Sequence, residues 1–341
     1  MRTRSTGVRG LVFGGIMAAL VIVFAVVPML SIFMPIPLVL VYVRYGGRTA
    51  LLTSVVAVIF SVLLVGPVQA ISYLVPAGIL PGLAFGYGFR RKLRPIVIGV
   101  IAVAVSIMGY AATYVITRAA VMGGRDPIAV AVQSPEARQL IDPIISAMEK
   151  ATALPSGATE AQKQQAERVK AQIDEIKQDP AAVTWALLPS SLLFFGAASS
   201  WLNYMLCRWI LPRFGHEIPA PTPFSEFWIP SWLTWVFVAA LYGQTYMGPS
   251  LINAPWWVKV LLNVVSPLSY IFVLVGMAGA YGFLRKKEIS KQLSLLFILL
   301  GLLLFGWSIG VQLYIMLAMW DSIFDFRGLG HGLLKRPKTT P

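Results

Sequence analysis

The chain has 341 residues, of which 57% are hydrophobic and only 12% are charged. A soluble domain carries about 25% charged residues, so this composition excludes an ordinary soluble fold and indicates that much of the apolar surface faces lipid. The net charge of +14 is spread over short basic clusters between apolar runs, without an aromatic and basic module beside them, which argues against nucleic-acid binding.

Five apolar stretches fill the first 118 residues. The first, 10–30, follows a basic N-terminus, and no small-residue cleavage site ends it, so we predict a retained helix with a cytoplasmic N-terminus. The second, 35–44, contains two prolines and is shorter than the roughly 20 residues of a full span, which predicts a short or broken helix. The three stretches that follow are predicted spans at 49–66, 69–89 and 94–118.

Residues 119–180 interrupt this apolar chain. They carry seven basic and nine acidic residues, whereas the rest of the chain carries 21 and five. Apolar residues recur in this segment at helical spacing, which predicts a small helical hairpin outside the hydrocarbon region. Because inner and outer turns alternate along the chain, we expect the insert on the outer side of the membrane.

Four further spans are predicted after the insert, which gives about nine transmembrane helices in an all-α membrane protein. They lie at 182–211, 229–248, 255–283 and 291–319. Prolines in 212–230 indicate a cytoplasmic connector, whose aromatic residues are typical either of interfacial anchoring or of a partner-docking site. Nine spans leave the basic C-terminal tail outside, so a count of eight, with the tail inside, stays open.

Six segments summarise this organisation. The first and third of them together would form a module of six helices. The segments are 1–118 with five helices, the extracytoplasmic insert 119–180, the sixth helix 181–211, the connector 212–230, the three helices of 231–320 and the basic tail 321–341.

The sequence offers few residues for chemistry. The single cysteine, Cys207, excludes an intramolecular disulfide, and the two histidines lie in no metal-binding motif. Asp321 and Asp325, four residues apart at the end of a span, fit either a cation site or a helix end that pairs with a neighbour such as Arg327. We predict no catalytic residue, no metal site and no cofactor, and we expect that the chain is not an enzyme.

Polar side chains share one face of the span 94–118, in the half nearest the outside. They recur at i, i+3, i+4 and i+7, and polar residues of neighbouring spans are expected at the same depth. Buried polar groups in a membrane must find partners or line a wet cavity. The pattern therefore predicts either an outward-facing ligand pocket or interhelical hydrogen bonds beside an aromatic belt. The candidate ligand-binding residues are Gln69, Ser72, Tyr73, Tyr110, Thr113, Tyr114, Thr117, Arg118 and Trp185.

Small residues cluster on the first helix, at Gly14, Gly15, Ala18 and Ala19. Two overlapping pairs of small residues, each four positions apart, allow a neighbouring helix to approach closely. The pattern fits either packing within the bundle or a docking face for another membrane subunit.

Three runs of the sequence resemble known families, namely GGIMAAL at 14–20, RFGHEIPAPTPFSEFWIPSW at 213–232 and WDSIFDFR at 320–327. Together they resemble the YybS-like family of bacterial membrane proteins over nearly the whole chain. The first six spans, with a short second one and a large outer segment before the sixth, also resemble the S components of energy-coupling-factor (ECF) vitamin transporters. The rod-shape protein MreD is similar in topology.

The S-component resemblance implies a ligand pocket in the outer half and docking of a membrane coupling subunit, with its ATPases, on the small residues of the first helix. The three C-terminal spans depart from S components. No ATP-binding loop occurs in the sequence, so energy would come from another protein or an ion gradient. The leading hypothesis is a binding or transport component for a vitamin-like molecule in the bacterial cytoplasmic membrane. The MreD likeness supports the rival hypothesis of a non-transporting scaffold for cell-envelope or signalling proteins.

Overall fold

The computed structural model describes residues 2–152, 159–244, 252, 254–304 and 306–329. These residues form helices and turns without a β-strand, which confirms the all-α fold. Six of the helices are long and apolar enough to cross a membrane, and four shorter apolar helices accompany them within the described ranges. The helices are α1 (Arg2–Val26), α2 (Pro35–Tyr45), α3 (Gly47–Val65), α4 (Pro67–Gln69), α5 (Leu80–Arg90), α6 (Pro95–Ile116), α7 (Pro127–Val132), α8 (Pro135–Ala151), α9 (Glu160–Gln178), α10 (Pro180–Ile210), α11 (Ser231–Gln244), α12 (Trp256–Lys286), α13 (Lys291–Leu304) and α14 (Gly306–Phe324).

The chain divides into two compact units. The first unit comprises Met1–Arg138 and Ser191–Pro221, and the second comprises Gln139–Ser190 and Thr222–Pro341. The long helix α10 therefore contributes its first eleven residues, 180–190, to the second unit and the remainder to the first.

Helix α2 is buried within the first unit. Every residue from Pro35 to Val41 is buried, as expected for a short helix that is apolar on all sides. Glycines let α5 approach α2 closely, since a Cβ at Gly82 would lie 2.9 Å from the carbonyl oxygen of Pro35. The core around α2 includes Val39, Phe85, Ile98, Cys207 and Leu211.

Helices α11, α12 and α14 pack against one another in the second unit. Phe237 of α11 and Phe272 of α12 are fully buried, and their ring centroids lie 4.4 Å apart. A Cβ at Gly276 would overlap the carbonyl oxygen of Tyr314, so the backbones of α12 and α14 touch there. Glycine at 276 is therefore required by the close approach of the two helices.

The stretch 291–319, predicted as one span, forms two helices in the structure, α13 and α14. They pack against each other, and the hydroxyl of Tyr314 donates a hydrogen bond of 2.8 Å to the carbonyl of Ile298. Helix α13 starts at the end of the unit where α12 finishes. The segment after α14 returns to that end, because Lys286 Nζ donates to the carbonyl of Arg327 at 2.6 Å.

The predicted insert contains the helices α8 and α9. Ile145 and Ile173 are its buried apolar residues, and Lys177 Nζ lies 2.5 Å from Glu149 Oε1. This hydrogen bond raises the pKa of Lys177 above its ordinary value. The apolar face of α8 is covered only in part, since Ile144 is exposed.

Helix α10 contains Pro189, and the side chain of Asn263 in α12 bonds to the backbone groups that are left unpaired beside this proline. The backbone N–H of Ser190 donates to Asn263 Oδ1 at 2.8 Å, and Asn263 Nδ2 donates to the carbonyl of Ala186 at 2.7 Å. In an uninterrupted α-helix the N–H of Ser190 would bond directly to the carbonyl of Ala186. Here the side-chain amide of Asn263 lies between these two groups and bonds to both. A proline inside a membrane helix is tolerated when a neighbouring helix satisfies the freed groups in this way.

The connector 212–230 is bound within each unit by backbone contacts. In the first unit, the hydroxyl of Tyr204 donates to the carbonyl of Pro219 at 2.6 Å. In the second unit, Arg327 donates to the carbonyls of Ser225 and Phe227 at 2.8 and 2.6 Å. The connector is extended apart from short 3₁₀ turns at Leu211–Phe214 and Phe224–Glu226, as its prolines predict.

Candidate ligand-binding site

The segment before α5 is a π-helix that includes the candidate residues Ser72 and Tyr73. Residues Ala70–Ile79 form a π-helix, in which an N–H group bonds to the carbonyl five residues earlier. Pro76 lies inside this segment and has no N–H, so the carbonyl of Ile71 lacks its π-helical donor. An uncompensated carbonyl in a membrane costs several kcal/mol, so a donor from another helix is needed.

Helix α6 supplies that donor. Thr113 Oγ1 donates to the carbonyl of Ile71 at 3.4 Å, and one turn further along α6 the hydroxyls of Thr117 and Ser72 lie 3.4 Å apart. The close approach depends on Gly109, where a Cβ would come within 3.1 Å of the Cβ of Pro76. Polar side chains of α6 therefore meet the π-helix on a buried face, where Thr113 is 7% and Thr117 is 6% exposed.

A second π-helical turn continues from α6. It spans Thr117–Val121, and the backbone N–H of Met122 bonds to the carbonyl of Thr117 at 3.0 Å. The hydroxyl contact between Ser72 and Thr117 thus joins the two π segments. Such turns are rare and are frequent at functional sites.

Aromatic and charged candidates surround these hydroxyls. The side chain of Tyr110 is half-buried, and that of Tyr73 is 39% exposed. Arg118 is exposed, and it donates to the hydroxyl of Tyr114 at 3.4 Å and to the carbonyl of Gly124 at 3.1 Å. Tyrosines, hydroxyls and one guanidinium therefore occupy one end of the helix pair. We call Ser72, Tyr73, Tyr110, Thr113, Tyr114, Thr117 and Arg118 the polar cluster.

Two candidates are not counted in the polar cluster. Gln69 ends α4, but its side chain lies outside the described residues. Trp185 belongs to the part of α10 in the second unit, where it is exposed.

The polar cluster offers hydrogen-bonding groups of several kinds. Hydroxyl groups both donate and accept, and the distances of 3.4 Å are longer than the usual 2.7–2.8 Å of an O–H···O bond. The hydroxyls of Ser72 and Thr117, at this distance from each other, can still bond to a ligand. The cluster contains neither a carboxylate nor a histidine, and in the described residues no three His, Cys, Asp or Glu side chains group together as a metal site would.

The small residues of α1 fall on two different faces. Gly14 and Ala18 are buried, and a Cβ at Gly14 would lie 2.6 Å from Thr53 Oγ1 of α3. Gly15 and Ala19 are exposed, and no atom lies within 4 Å of a Cβ placed at Gly15. The first pair therefore packs inside the unit, while the second pair faces outwards.

Asp321 pairs with Arg327 as the sequence suggested, but the expectation that the helix ends in water there is wrong, because the pair is buried. Arg327 Nη2 lies 2.5 Å from Asp321 Oδ2, and their side chains are only 5% and 7% exposed. Among the described residues, Asp321 Oδ1 finds no hydrogen-bond partner, and Asp321 borders a cavity of about 10 Å³ together with Ser322 and Asp325. A cavity of that size holds roughly one water molecule. The aromatic connector is the sequence feature that could have indicated burial. Its carbonyls at Ser225 and Phe227, about 100 residues earlier in the chain, accept hydrogen bonds from Arg327.

Comparison with known proteins identifies the family. A family model described as "Predicted membrane protein (DUF2232)" matches residues 15–322, so the chain belongs to this family of predicted membrane proteins. No curated protein and no solved structure matches the chain.

Proposed function

We propose that this member of the DUF2232 family is a small-molecule binding component of a membrane transport system and that the polar cluster is its ligand site. The single observation that carries the proposal is the contact between two π-helical segments, which brings Ser72, Thr113 and Thr117 together on a buried face. Polar groups at such depth are costly, so their concentration at one place favours a function.

The composition of the polar cluster suggests the class of ligand. Tyr73 and Tyr110 offer aromatic surface, the hydroxyls offer hydrogen bonds in both directions, and Arg118 adds one positive charge. These groups suit a small, flat, polar molecule with an acidic substituent, as many vitamins and their precursors are.

A partner subunit is the second part of the proposal. The sequence has no ATP-binding loop, so a transporter built from this chain needs a coupling subunit with ATPases or an ion gradient. Gly15 and Ala19 offer a small-residue face on the outside of α1, and such faces allow close helix packing. The resemblance to S components implies docking of the coupling subunit on the small residues of the first helix, and of these Gly15 and Ala19 are the exposed pair.

The structure also supports a topology for the bacterial cytoplasmic membrane. Six long and four shorter apolar helices lie within the described ranges, and the segment after α14 returns to the end of the second unit at which α12 finishes. If all ten cross the membrane, both termini lie on the cytoplasmic side. The basic tail then joins the other basic turns, as the positive-inside rule requires. A reporter fused after residue 341 tests this: cytoplasmic green fluorescence supports ten crossings, and periplasmic phosphatase activity contradicts them.

A scaffold of cell-envelope or signalling proteins is the second candidate function. The observation in its favour is that the hydroxyls of Thr113 and Thr117 already have partners within the helix pair. A scaffold needs no ligand, and its bundle can be filled and dry. Co-purification from native membranes separates the two functions, because an ATPase pair supports transport and cell-envelope enzymes support the scaffold.

A ligand screen on the purified protein tests the ligand site. Vitamins and their precursors are added to the protein in lipid nanodiscs, and thermal stabilisation identifies binders. Tyr110→Phe and Thr113→Val are expected to weaken any binder by about tenfold each, the cost of one lost hydrogen bond. Tyr87→Phe is the matched control, because Tyr87 is exposed and lies outside the polar cluster. Equal affinity for all three variants would exclude this site.

A further inference from the structure

One end of the first unit is strongly basic. Nine arginine and lysine side chains are exposed there, and Glu217 is the one carboxylate on the same segments within the described chain. Topology alone needs no particular arrangement of such charges, because the positive-inside rule counts them without regard to geometry. The nine residues are Arg9, Arg44, Arg48, Arg90, Arg91, Lys92, Arg94, Arg208 and Arg213.

Three of these arginines belong to the turn between α2 and α3 or contact it. Arg90 Nη1 donates to the carbonyl of Tyr42 at 3.3 Å, and it lies so close to Gly46 that a Cβ there would come within 2.6 Å of it. Gly46 also has a φ of 95°, so the turn favours glycine on two grounds. Arg44 and Arg48 flank this glycine in the sequence. We call Arg44, Arg48 and Arg90 the arginine cluster.

Aromatic rings fix one member of the arginine cluster in place. The guanidinium carbon of Arg44 lies 5.4 Å from the ring centroid of Phe13 and 5.6 Å from that of Tyr45. Cation–π contacts orient a guanidinium while leaving its N–H groups free to bind an anion. Within the described residues, no ion pair involves Arg44, Arg48 or Arg90. Three neighbouring positive charges without a carboxylate repel one another until an anion joins them.

Apolar surface continues from the arginine cluster along the same helices. Leu51 and Leu52 of α3, one turn after Arg48, are exposed, as are Leu11 and Val12 of α1 beside Phe13. A membrane protein presents such residues to acyl chains. Basic groups therefore lie next to a lipid-facing stripe, an arrangement that complements a molecule with an anionic head and apolar tails.

We propose that the arginine cluster is a binding site for the phosphate headgroup of an anionic phospholipid, whose acyl chains lie along Leu51, Leu52, Leu11 and Val12. Arginine forks bind phosphate oxygens in a bidentate fashion, and basic pockets between membrane helices bind anionic headgroups. The attached apolar stripe favours a lipid over a free phosphate or an acidic peptide. This site is separate from the polar cluster and does not depend on the proposed transport function.

Native mass spectrometry of the full chain, released from bilayers that contain phosphatidylcholine, phosphatidylglycerol and cardiolipin, tests the proposal. The wild type is expected to retain an anionic lipid. The triple variant Arg44→Gln, Arg48→Gln, Arg90→Gln is expected to retain at least about tenfold less of it, since each basic residue near a membrane surface contributes about 1 kcal/mol. Arg44→Lys, Arg48→Lys, Arg90→Lys keeps the charge and is expected to retain an intermediate amount.

The matched control removes the same number of charges from the second unit. Arg285→Gln, Lys287→Gln, Lys291→Gln alters exposed residues and is expected to retain the lipid as the wild type does. Equal loss in both glutamine variants would indicate a diffuse surface attraction and overturn the site. Displacement of the lipid by inorganic phosphate or polyglutamate at equal concentration would overturn the lipid assignment. Thermal unfolding in pure phosphatidylcholine shows whether each variant is folded, and the lysine variant carries the test if the glutamine variant is not.

Discussion

The buried pair of Arg327 and Asp321 allows a quantitative prediction about the second unit. The guanidinium donates to Asp321 Oδ2 from Nε at 2.8 Å and from Nη2, and it also donates to the carbonyls of Ser225 and Phe227. One side chain thus joins the end of α14 to the connector. Since both partners are more than nine-tenths buried, water cannot take over these bonds.

Replacing Arg327 by methionine keeps the apolar stem and removes every one of these bonds. The carboxylate of Asp321 is then buried without a partner, and the removal of one member of a buried ion pair costs about 3–5 kcal/mol. The double variant Arg327→Met, Asp321→Leu leaves no unpaired charge. We expect it to be more stable than the single variant by about 1–3 kcal/mol, because its remaining loss is confined to the two carbonyls.

Denaturant unfolding of the purified protein in detergent micelles measures these differences, and limited proteolysis within 216–226 reports on release of the connector. Arg213→Met is the matched control, because Arg213 is exposed and contacts only the ring of Trp209 among the interactions described; we expect no change in its unfolding midpoint. The reasoning is refuted if Arg327→Met costs less than about 1 kcal/mol, or if the double variant is less stable than the single one.

Three further substitutions test the helix contacts by thermal unfolding in nanodiscs. Asn263→Leu removes both bonds beside Pro189 and is expected to cost about 2–4 kcal/mol, whereas the control Ser269→Ala, which loses one bond within its own helix, costs less than about 1 kcal/mol. Gly276→Ala places a Cβ against the α14 backbone and is expected to cost more than about 2 kcal/mol, whereas Gly15→Ala has open space and leaves stability unchanged or slightly higher. Thr113→Val leaves a carbonyl of the π-helix without its donor and is expected to cost about 1–3 kcal/mol; unchanged stability would mean that the bond contributes nothing.

In this protein the spacing of polar and apolar residues predicts which face of a helix is buried, but it does not predict which other helix that face contacts. The spacing of Thr113 and Thr117 on α6 follows from the helical period, and both side chains are buried together. Their partners depend on Pro76 and on the register of a helix some forty residues earlier. Such long-range register has no signature in a single sequence, so the contact with Ile71 could not be predicted.

The small residues of α1 and the last predicted span show the same limit. Gly14 and Gly15 are the same residue type, so residue type alone cannot show which of them faces inwards. The contact with Thr53 of α3 shows that it is Gly14. The stretch 291–319 carries neither proline nor charge after Lys291, so its apolar pattern is that of one long span. Contacts of Tyr314 with Ile298 and with Gly276 are what distinguish two helices from one.

Accessibility of Ser72 to water tests the central claim, that the polar cluster lines a ligand site open to the outside. Cys207 is the single native cysteine and is fully buried, so an introduced cysteine can be labelled alone. Ser72→Cys in intact cells is expected to react with a membrane-impermeant maleimide, whereas Val115→Cys, on the exposed lipid-facing side of α6, is expected to stay unlabelled. Labelling of Ser72→Cys only after denaturation would contradict the claim. The polar cluster would then be a contact between helices that water does not reach.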